Sequence, residues 1–564
     1  MNDTLRLHRP HLLTGLVFSL LLLTAMQGCM NALVREYNPQ QEPLWKADVH
    51  QIGSIALDDY SHIPPLPIEE AVGKSIQDTL QQAPHEKTVP LSLEEVRAAA
   101  LENNLELKVQ LVNPSLARET YNVERAKFEA YLSGGIRQAN TDTPTASQLV
   151  GSQSSLTQFE LGVTQPLPTG GEFRISLPGG RFETDNQFAL LNPSFESDLQ
   201  FSISQPLLRG AGFQANTHSI RVMGYQSRIT DAQTKLEAIR LLALADKAYW
   251  LVYGASRELE VRQEQYRLAQ RQLNEARLRV KAQAAPQVEI TRAESGLAAR
   301  LEGIISGTTR LRLRERDLKR IINRPDLPID SDTAVLPTTP PQPVGLRLDT
   351  KSLADFAAQN RMEMLEEELQ LAIDESTIDF EKNAALPLFV LDYEYNLNGL
   401  GGSFGQSLDQ MSGARFADWS VGLRAQIPLG NQAAKARVRH AWLARVQRLA
   451  TKEQREQAIR QEVLNAADML EENWQRILAA RQEVVFAART YEAERKQFEL
   501  GARTSTDVLD AAAGLALAQS REIQALIDYQ HSQVDIAYAT GTLLGHAQVE
   551  WKPVELEASN RAPF

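Results

Sequence analysis

FVLDYEYNL, residues 389–397, alternates without a break. Phe389, Leu391, Tyr393, Tyr395 and Leu397 fall on one side of an extended chain; Asp392, Glu394 and Asn396 fall on the other. A period of two is the signature of a strand with one apolar and one polar face. The pattern recurs. In LQFSISQ (199–205) Leu199, Phe201 and Ile203 alternate with Gln200, Ser202 and Ser204. In SVGLRAQI (420–427) Val421, Leu423, Ala425 and Ile427 alternate with Gly422, Arg424 and Gln426. Phe159, Leu161 and Val163, then Phe173, Ile175 and Leu177, continue it. Alternation alone describes a half-buried sheet of a soluble domain equally well. Lengths near the ten residues of a membrane-spanning strand bring a transmembrane barrel into consideration. The glycine-rich NGLGGSFGQ (398–406) reads as a loop, not a phosphate cradle, because no helix pattern follows it immediately.

The strands are flanked by very long helical stretches. From about Asn216 to Val280 only tolerable glycines interrupt the pattern, and from about Gln432 to Glu499 there is no Gly or Pro. About 65 residues make a rod on the order of 100 Å. Such a rod must pair along its length, most simply with the returning helices near 287–324 and 505–540.

The chain also contains itself twice. LSLEEVRAAALENNLEL (91–107) aligns with LDTKSLADFAAQNRMEM (348–364) at an offset of 257. Pro206 aligns with Pro428 at an offset of 222, and AQAAPQVEITRA (282–293) with LGARTSTDVLDA (500–511) at 218. The first copy is therefore longer by 257 − 222 = 35 residues between its first helix and its proline-containing strand. A longer external hairpin is the expectation for the excess. LPTTPPQPVGL (336–346) joins the copies as a stiff linker.

Composition removes several classes of function. A net charge of −12 argues against a general nucleic-acid binder, which carries a basic footprint. The nine histidines are scattered, with no metal-ligand spacing, and no GxxxxGK loop occurs. Arg6 and Arg9 precede an apolar run from Leu12 to Met26, the pattern of a signal peptide. Cys29, the one cysteine, follows in Met26-Gln27-Gly28-Cys29, which is similar to the lipobox of bacterial lipoproteins. Lipidation of Cys29 and an ordinary signal peptide with an incidental cysteine both remain open. After residue 28 no run of about 18 apolar residues occurs.

FELGARTSTDVLDA (498–511) lies between two helical patterns. Thr504 followed by Asp507 is a good helix start, a hydroxyl cap with an acid three residues on. Pro286 suits the first position of the corresponding first-copy helix. Neither Asp510, one turn further along, nor Arg503 is needed for that role. A catalytic acid pair lacks a neighbouring nucleophile, metal or pocket.

Two copies of helix–strand–strand–long helix–helix, a Q-P-L strand exit, GARTSTDVLDA and the closing YQHSQVDIAYATGTLLG (529–545) resemble the TolC-like outer-membrane efflux proteins, over roughly 91–545. The resemblance implies an α+β membrane protein. Three protomers with four strands each would form a 12-stranded outer-membrane β-barrel continuous with a long periplasmic α-helical barrel. Its segments would be a signal peptide (1–28), an N-terminal periplasmic extension (29–90), a first repeat (91–335), a Pro-rich linker (336–347), a second repeat (348–545) and a tail (546–564). It implies an exit duct and not an enzyme, without cofactor or metal. Its partners would be two further copies, a periplasmic adaptor protein, an inner-membrane transporter and outer-membrane lipid, with no nucleic acid. Pro206 and Pro428 would mark strand-to-helix turns, and Leu386-Pro387 the entry to the second copy's first strand. Arg503 would lock the tip against Glu289, while Asp507 and Asp510 form two carboxylate rings at the periplasmic constriction. The position of Phe498 is often tyrosine in the family; without its hydroxyl the lock would rest more on Arg503. The alternative function is a periplasmic coiled-coil structural or adaptor lipoprotein, against which the alternating strands argue.

Overall fold

A computed structural model of the chain describes residues 87–146 and 151–551. Cys29, the signal segment, nearly all of the 29–90 extension and the end of the tail lie outside the described residues. Strand β1 (Thr88–Leu91) leads to Ser92, which with Glu95 forms a capping box for α1 (Leu93–Asn103). Asn104 caps α2 (Leu105–Gln110), and Pro114 sits in the first turn of α3 (Asn113–Arg125), where its missing N–H costs little. Four strands follow: β2 (Tyr131–Asp142), β3 (Gln153–Pro166), β4 (Glu172–Thr184) and β5 (Ser194–Pro206). Then come α4 (Phe213–Asn216), α5 (His218–Lys281), α6 (Val288–Ile322) and β6 (Ala334–Pro337), the last paired in parallel with β1. In the second half Asp349 caps α7 (Thr350–Asn360), followed by α8 (Met362–Ala384) and β7 (Leu388–Gly401). The chain continues through α9 (Phe404–Ser412), β8 (Ala417–Gln426), α10 (Gln432–Glu499), α11 (Ser505–Ala539) and α12 (Leu543–His546).

All strands but β1 and β6 form one six-stranded antiparallel sheet in the order β2-β3-β4-β5-β7-β8. The register aligns apolar positions across it. Val163 faces Leu132 and Ile175; Ile175 faces Phe201, Phe201 faces Tyr395, and Tyr395 faces Trp419. Toward β8 that face is uncovered, leaving Trp419 and Leu423 68% and 64% exposed. The other face is polar and cross-linked: Arg174 pairs with Glu160, Gln200 donates to Glu394, Ser204 to Asp392, and Asn396 to Asp418.

This sheet corrects two expectations. The protomer contributes six strands and not four, and the additional hairpin is not an external projection. Strands β3 and β4 lie inside the sheet, between β2 and β5. Their alternation matches that of their neighbours, so they pair in register on both sides. NGLGGSFGQ is likewise not a loop. Its first four residues end β7, and Ser403 caps α9 by accepting from the Gln406 N–H. A Cβ at Gly399 would stand 2.1 Å from the Ser407 carbonyl oxygen, so glycine is what lets α9 fold back on the strand.

The long helices are as continuous as the sequence suggests. At 1.5 Å per residue the 64 residues of α5 and 68 of α10 make rods of about 95 and 100 Å. In the first half Val96, Ala100, Leu242, Tyr249, Leu318 and Ile322 are fully or almost fully buried. In the second half Ala357, Met364, Ile459, Val463 and Ala539 form the comparable core. Alanines at these contacts let helix axes approach closely. The Pro-rich 336–347 stretch is tied along the helices: Thr339 N–H donates to the Tyr249 hydroxyl at 2.8 Å, and the Val344 carbonyl accepts from the Tyr529 hydroxyl.

The ion pair of Arg97 with Asp246 encloses its carboxylate completely. Arg97 of α1 makes two hydrogen bonds, 2.8 and 2.7 Å, to Asp246 of α5, whose side chain is 0% exposed. Removing one partner leaves a charge buried without compensation. Asp246→Ala is expected to lower stability by about 3–5 kcal/mol. Arg240→Ala, which breaks the exposed pair with Glu237, should cost under ~1 kcal/mol. Denaturant unfolding followed by the helical circular-dichroism signal measures both; equal effects would contradict the burial argument.

Candidate functional site

The turns that reverse α5 into α6 and α10 into α11 are built alike. In the first, Ala284 N–H donates to Arg279 C=O at 2.8 Å and Gln283 N–H to Val280 C=O at 3.0 Å. In the second, Ala502 N–H donates to Gln497 C=O at 2.9 Å and Gly501 N–H to Phe498 C=O at 3.0 Å. The second residue past each helix is left-handed, Gln283 at φ 60° and Gly501 at φ 76°. Glycine adopts that conformation freely, whereas a side chain there costs about 1–2 kcal/mol.

Helix α11 starts on a full capping box. Thr504 N–H and hydroxyl both donate to Asp507 Oδ2 at 2.8 Å, and the Asp507 N–H returns to Thr504 Oγ1. The hydrogen bond from the Thr504 backbone, then that from its hydroxyl, holds the Asp507 carboxyl below its ordinary range. Asp510 is exposed one turn further on. Pro286 is not the first residue of α6. It precedes the cap residue Gln287, and its carbonyl accepts from Glu289 N–H at 3.1 Å. The chain there lacks a hydroxyl cap, so the helix starts two residues after the proline.

Three contacts join the two tips. The Ser505 hydroxyl donates to Glu289, the Ser505 carbonyl accepts from Gln272 Nε2 at 3.1 Å, and the Arg279 guanidinium lies over the Phe498 ring, 3.9 Å from its centre. Arg503 is not bonded to Glu289. It pairs with Glu494 at 3.1 Å and donates to Gln497 at 3.0 Å, both on α10. The expected Arg503–Glu289 link is thus absent within the protomer, because Arg503 reaches acceptors on its own helix. Glu289 is engaged by Ser505 and by Arg292 at 2.8 Å. Phe498, expected to have lost the tyrosine link, makes a cross-tip contact through its ring face.

The offset of 218 that aligns the tips places Glu289 opposite Asp507 and Arg292 opposite Asp510. The first tip therefore neutralises its acid with a base three residues on, while the second carries two acids on one helical face. Pro206 ends β5, and Pro428 follows β8 just before α10. Among the described residues no cluster suited to a metal ion occurs. Arg279 and Gln272 escaped the sequence reading, since their partners lie more than 200 residues away and no local pattern marks them.

Residues 353–542 match the model of the family described as outer membrane efflux protein. The chain is 26% identical over 198 residues to the outer membrane protein TolC of Vibrio cholerae serotype O1; the aligned part covers 34% of this chain and 44% of that relative. Among solved structures it is similar to CusC (TM-score 0.60, 15% identity, 82% of this chain and 94% of that one). It is also similar to the CmeC outer membrane channel of Campylobacter jejuni (TM-score 0.59, 14% identity, 80% and 85%). The open-state MtrE outer membrane channel of Neisseria gonorrhoeae is a further match (TM-score 0.57, 18% identity, 80% and 89%). The fold is that of these channel proteins.

The Asp507 cap has a defined pH dependence. A carboxyl whose folded pKa is depressed adds stability that is complete above its unfolded value and is lost as pH falls through the folded one. Protection of the Thr504 and Asp507 amides from hydrogen exchange, corrected for intrinsic rates, should be constant near neutrality and fall below the ordinary aspartate range. Asp507→Asn should abolish that dependence. Thr504→Ala should loosen the helix start by about 1 kcal/mol at every pH.

Proposed function

We propose that this TolC-like chain, with its outer membrane efflux protein region at 353–542, is the outer-membrane exit duct of a tripartite efflux or secretion system. Three copies would close the strands into a barrel in the outer membrane and the helices into a periplasmic tunnel. One observation carries the reading: a sheet with a continuous apolar band on one face, from Leu132 through Val163, Ile175, Phe201 and Tyr395 to Trp419, is joined to helices of 64 and 68 residues. In lipid every backbone group must be paired internally, which a closed barrel achieves. No helix among the described residues is long and apolar enough to cross a membrane. A coiled-coil spacer has no use for an exposed apolar sheet.

The two halves would be repeats, 91–335 and 348–545, joined by the 336–347 linker. Both end their first helix on an asparagine, Asn103 and Asn360, and begin the next two residues later. Cys29 would anchor the mature chain to the membrane, and the 29–90 segment would extend from it. The helical tips would meet a periplasmic adaptor protein, and through it an inner-membrane transporter.

The gate lies at the second tip. On a threefold axis Asp507 and Asp510 form two rings of three carboxylates, which attract cations and repel one another. Assembly therefore opposes the lowering that the cap imposes on Asp507. Glu289–Ser505, Gln272–Ser505 and Arg279–Phe498 hold the tips together, and Arg503, braced by α10, becomes available to a neighbouring protomer when those contacts part.

Single-channel recording in planar bilayers tests both levels. Wild-type protein should give a small, cation-selective conductance blocked by millimolar divalent or trivalent cations. Asp507→Ala/Asp510→Ala should lose the block. A conductance indifferent to these substitutions would retain the duct and reduce the tip to a capped helix start. Failure to insert into bilayers would refute the duct.

A further inference from the structure

From the sheet we infer that the outer-membrane barrel of this protein has eighteen strands, three copies of six, and encloses a lumen wide enough for bulky hydrated solutes. The inference rests on the duct reading above and goes beyond it, since the resemblance implied twelve strands. The partner at the sheet edges is a second copy of this chain.

The additional hairpin is part of the wall. Strand β3 is paired along its full length on both sides, from Tyr131↔Thr164 to Asp142↔Gln153 with β2, and from Ser154↔Thr184 to Pro166↔Glu172 with β4. Strand β4 continues the sheet to β5, from Glu172↔Ser204 to Phe182↔Ser194. Over residues 159–163 and 173–177 both inserted strands keep the two-faced pattern. Leu161 faces Leu177 on the apolar side, while Glu160 and Arg174 pair on the polar side. Pairing with β2 on one side and β5 on the other, and not the alternation by itself, makes the hairpin part of the wall.

The turn between β3 and β4 is fastened to the point where β5 leaves the sheet. Leu167 N–H donates to Gly171 C=O at 2.8 Å, Gly212 N–H to Thr169 C=O at 2.9 Å, and the Thr169 hydroxyl to Gln205 at 2.8 Å. Gly170 has φ +90°, and a Cβ there would stand 2.0 Å from the Gly210 carbonyl oxygen. That contact needs glycine. The hairpin thus ends level with the strand-to-helix junction, as a wall strand must.

The sheet has two unpaired edges, β2 and β8, of 12 and 10 residues. Neighbours alternate in direction through six strands, so β8 runs opposite to β2. A rotated copy can set its β2 antiparallel against β8, and repetition closes the ring without an edge. Barrel diameter grows about linearly with strand number, which makes the lumen roughly half as wide again as that of twelve strands and comparable to aqueous porins. The outer-membrane segment is then no sieve, and size selection falls to the helical tips.

The full chain purified in lipid nanodiscs provides the test, in a Cys29→Ser background. Cryo-electron microscopy should count eighteen strands. A fluorophore on Leu161→Cys or Leu177→Cys should be quenched by brominated lipid, and Arg174→Cys should react with a water-soluble thiol reagent. In bilayers, neutral polyethylene glycols added on the barrel side should enter the wild-type lumen at sizes excluded when residues 153–184 are excised. Twelve strands, with unquenched Leu161 and Leu177 labels and a conducting trimer, would overturn this inference while leaving the duct intact. Absence of any membrane-inserted oligomer would overturn both.

Discussion

In the proposed membrane setting, backbone hydrogen bonding without water is the constraint on which the rest depends. A strand against hydrocarbon has no solvent to satisfy its N–H and C=O groups, so each must find a neighbour. That demand sets the continuous antiparallel order of the six strands and the near-absence of proline from their interiors. Pro178, within β4, is the exception, and the ladder with β5 is interrupted there between Ser176 and Gly179. Pro166 and Pro206 sit instead at strand ends, where a missing donor costs least.

The same constraint governs the junction with the helices. After Pro206 the chain pairs twice more with the second half: Leu207 N–H donates to Phe389 C=O at 2.8 Å and Arg209 N–H to Pro387 C=O at 3.1 Å. Asn383, at the end of α8, then accepts from Gly210 N–H and donates to the carbonyls of Leu208 and Ala211. One amide side chain thus satisfies three backbone groups of the other half where regular structure ends. Asn431 donates similarly to Ala385 C=O ahead of α10.

Much of this was legible in the sequence because it is local. Alternation locates a strand and assigns its faces, and an unbroken stretch without Gly or Pro locates a helix such as α10. Alternation does not name a strand's neighbour. The pattern of Phe159, Leu161 and Val163 was visible, yet an outward hairpin and two wall strands predict the same alternation. Register with β2 and β5 distinguishes them, and that is a long-range property. The tip divides similarly. Thr504 and Asp507 are three residues apart, so their cap could be read directly. Arg503 was assigned a distant partner and took Glu494, nine residues back. Helix α9 was hidden because its glycine-rich approach serves close packing on β7, a need that composition alone presents as a loop.

The two ends of the molecule answer to different physics. At the sheet, hydrogen-bond closure is compulsory and leaves little freedom to move, since opening one ladder exposes a row of donors and acceptors. At the tips the polar and ring contacts between hairpins are one serine–carboxylate bond, one glutamine–carbonyl bond and one guanidinium over a ring, beside buried Val508 and Ala512. Each is worth on the order of 1 kcal/mol in a partly solvated setting. Conformational change concentrates where opening is cheapest. In the proposed duct, a wide wall beside these tips would place both movement and selection at the helical end, where Asp507 and Asp510 of the second tip have no base three residues on.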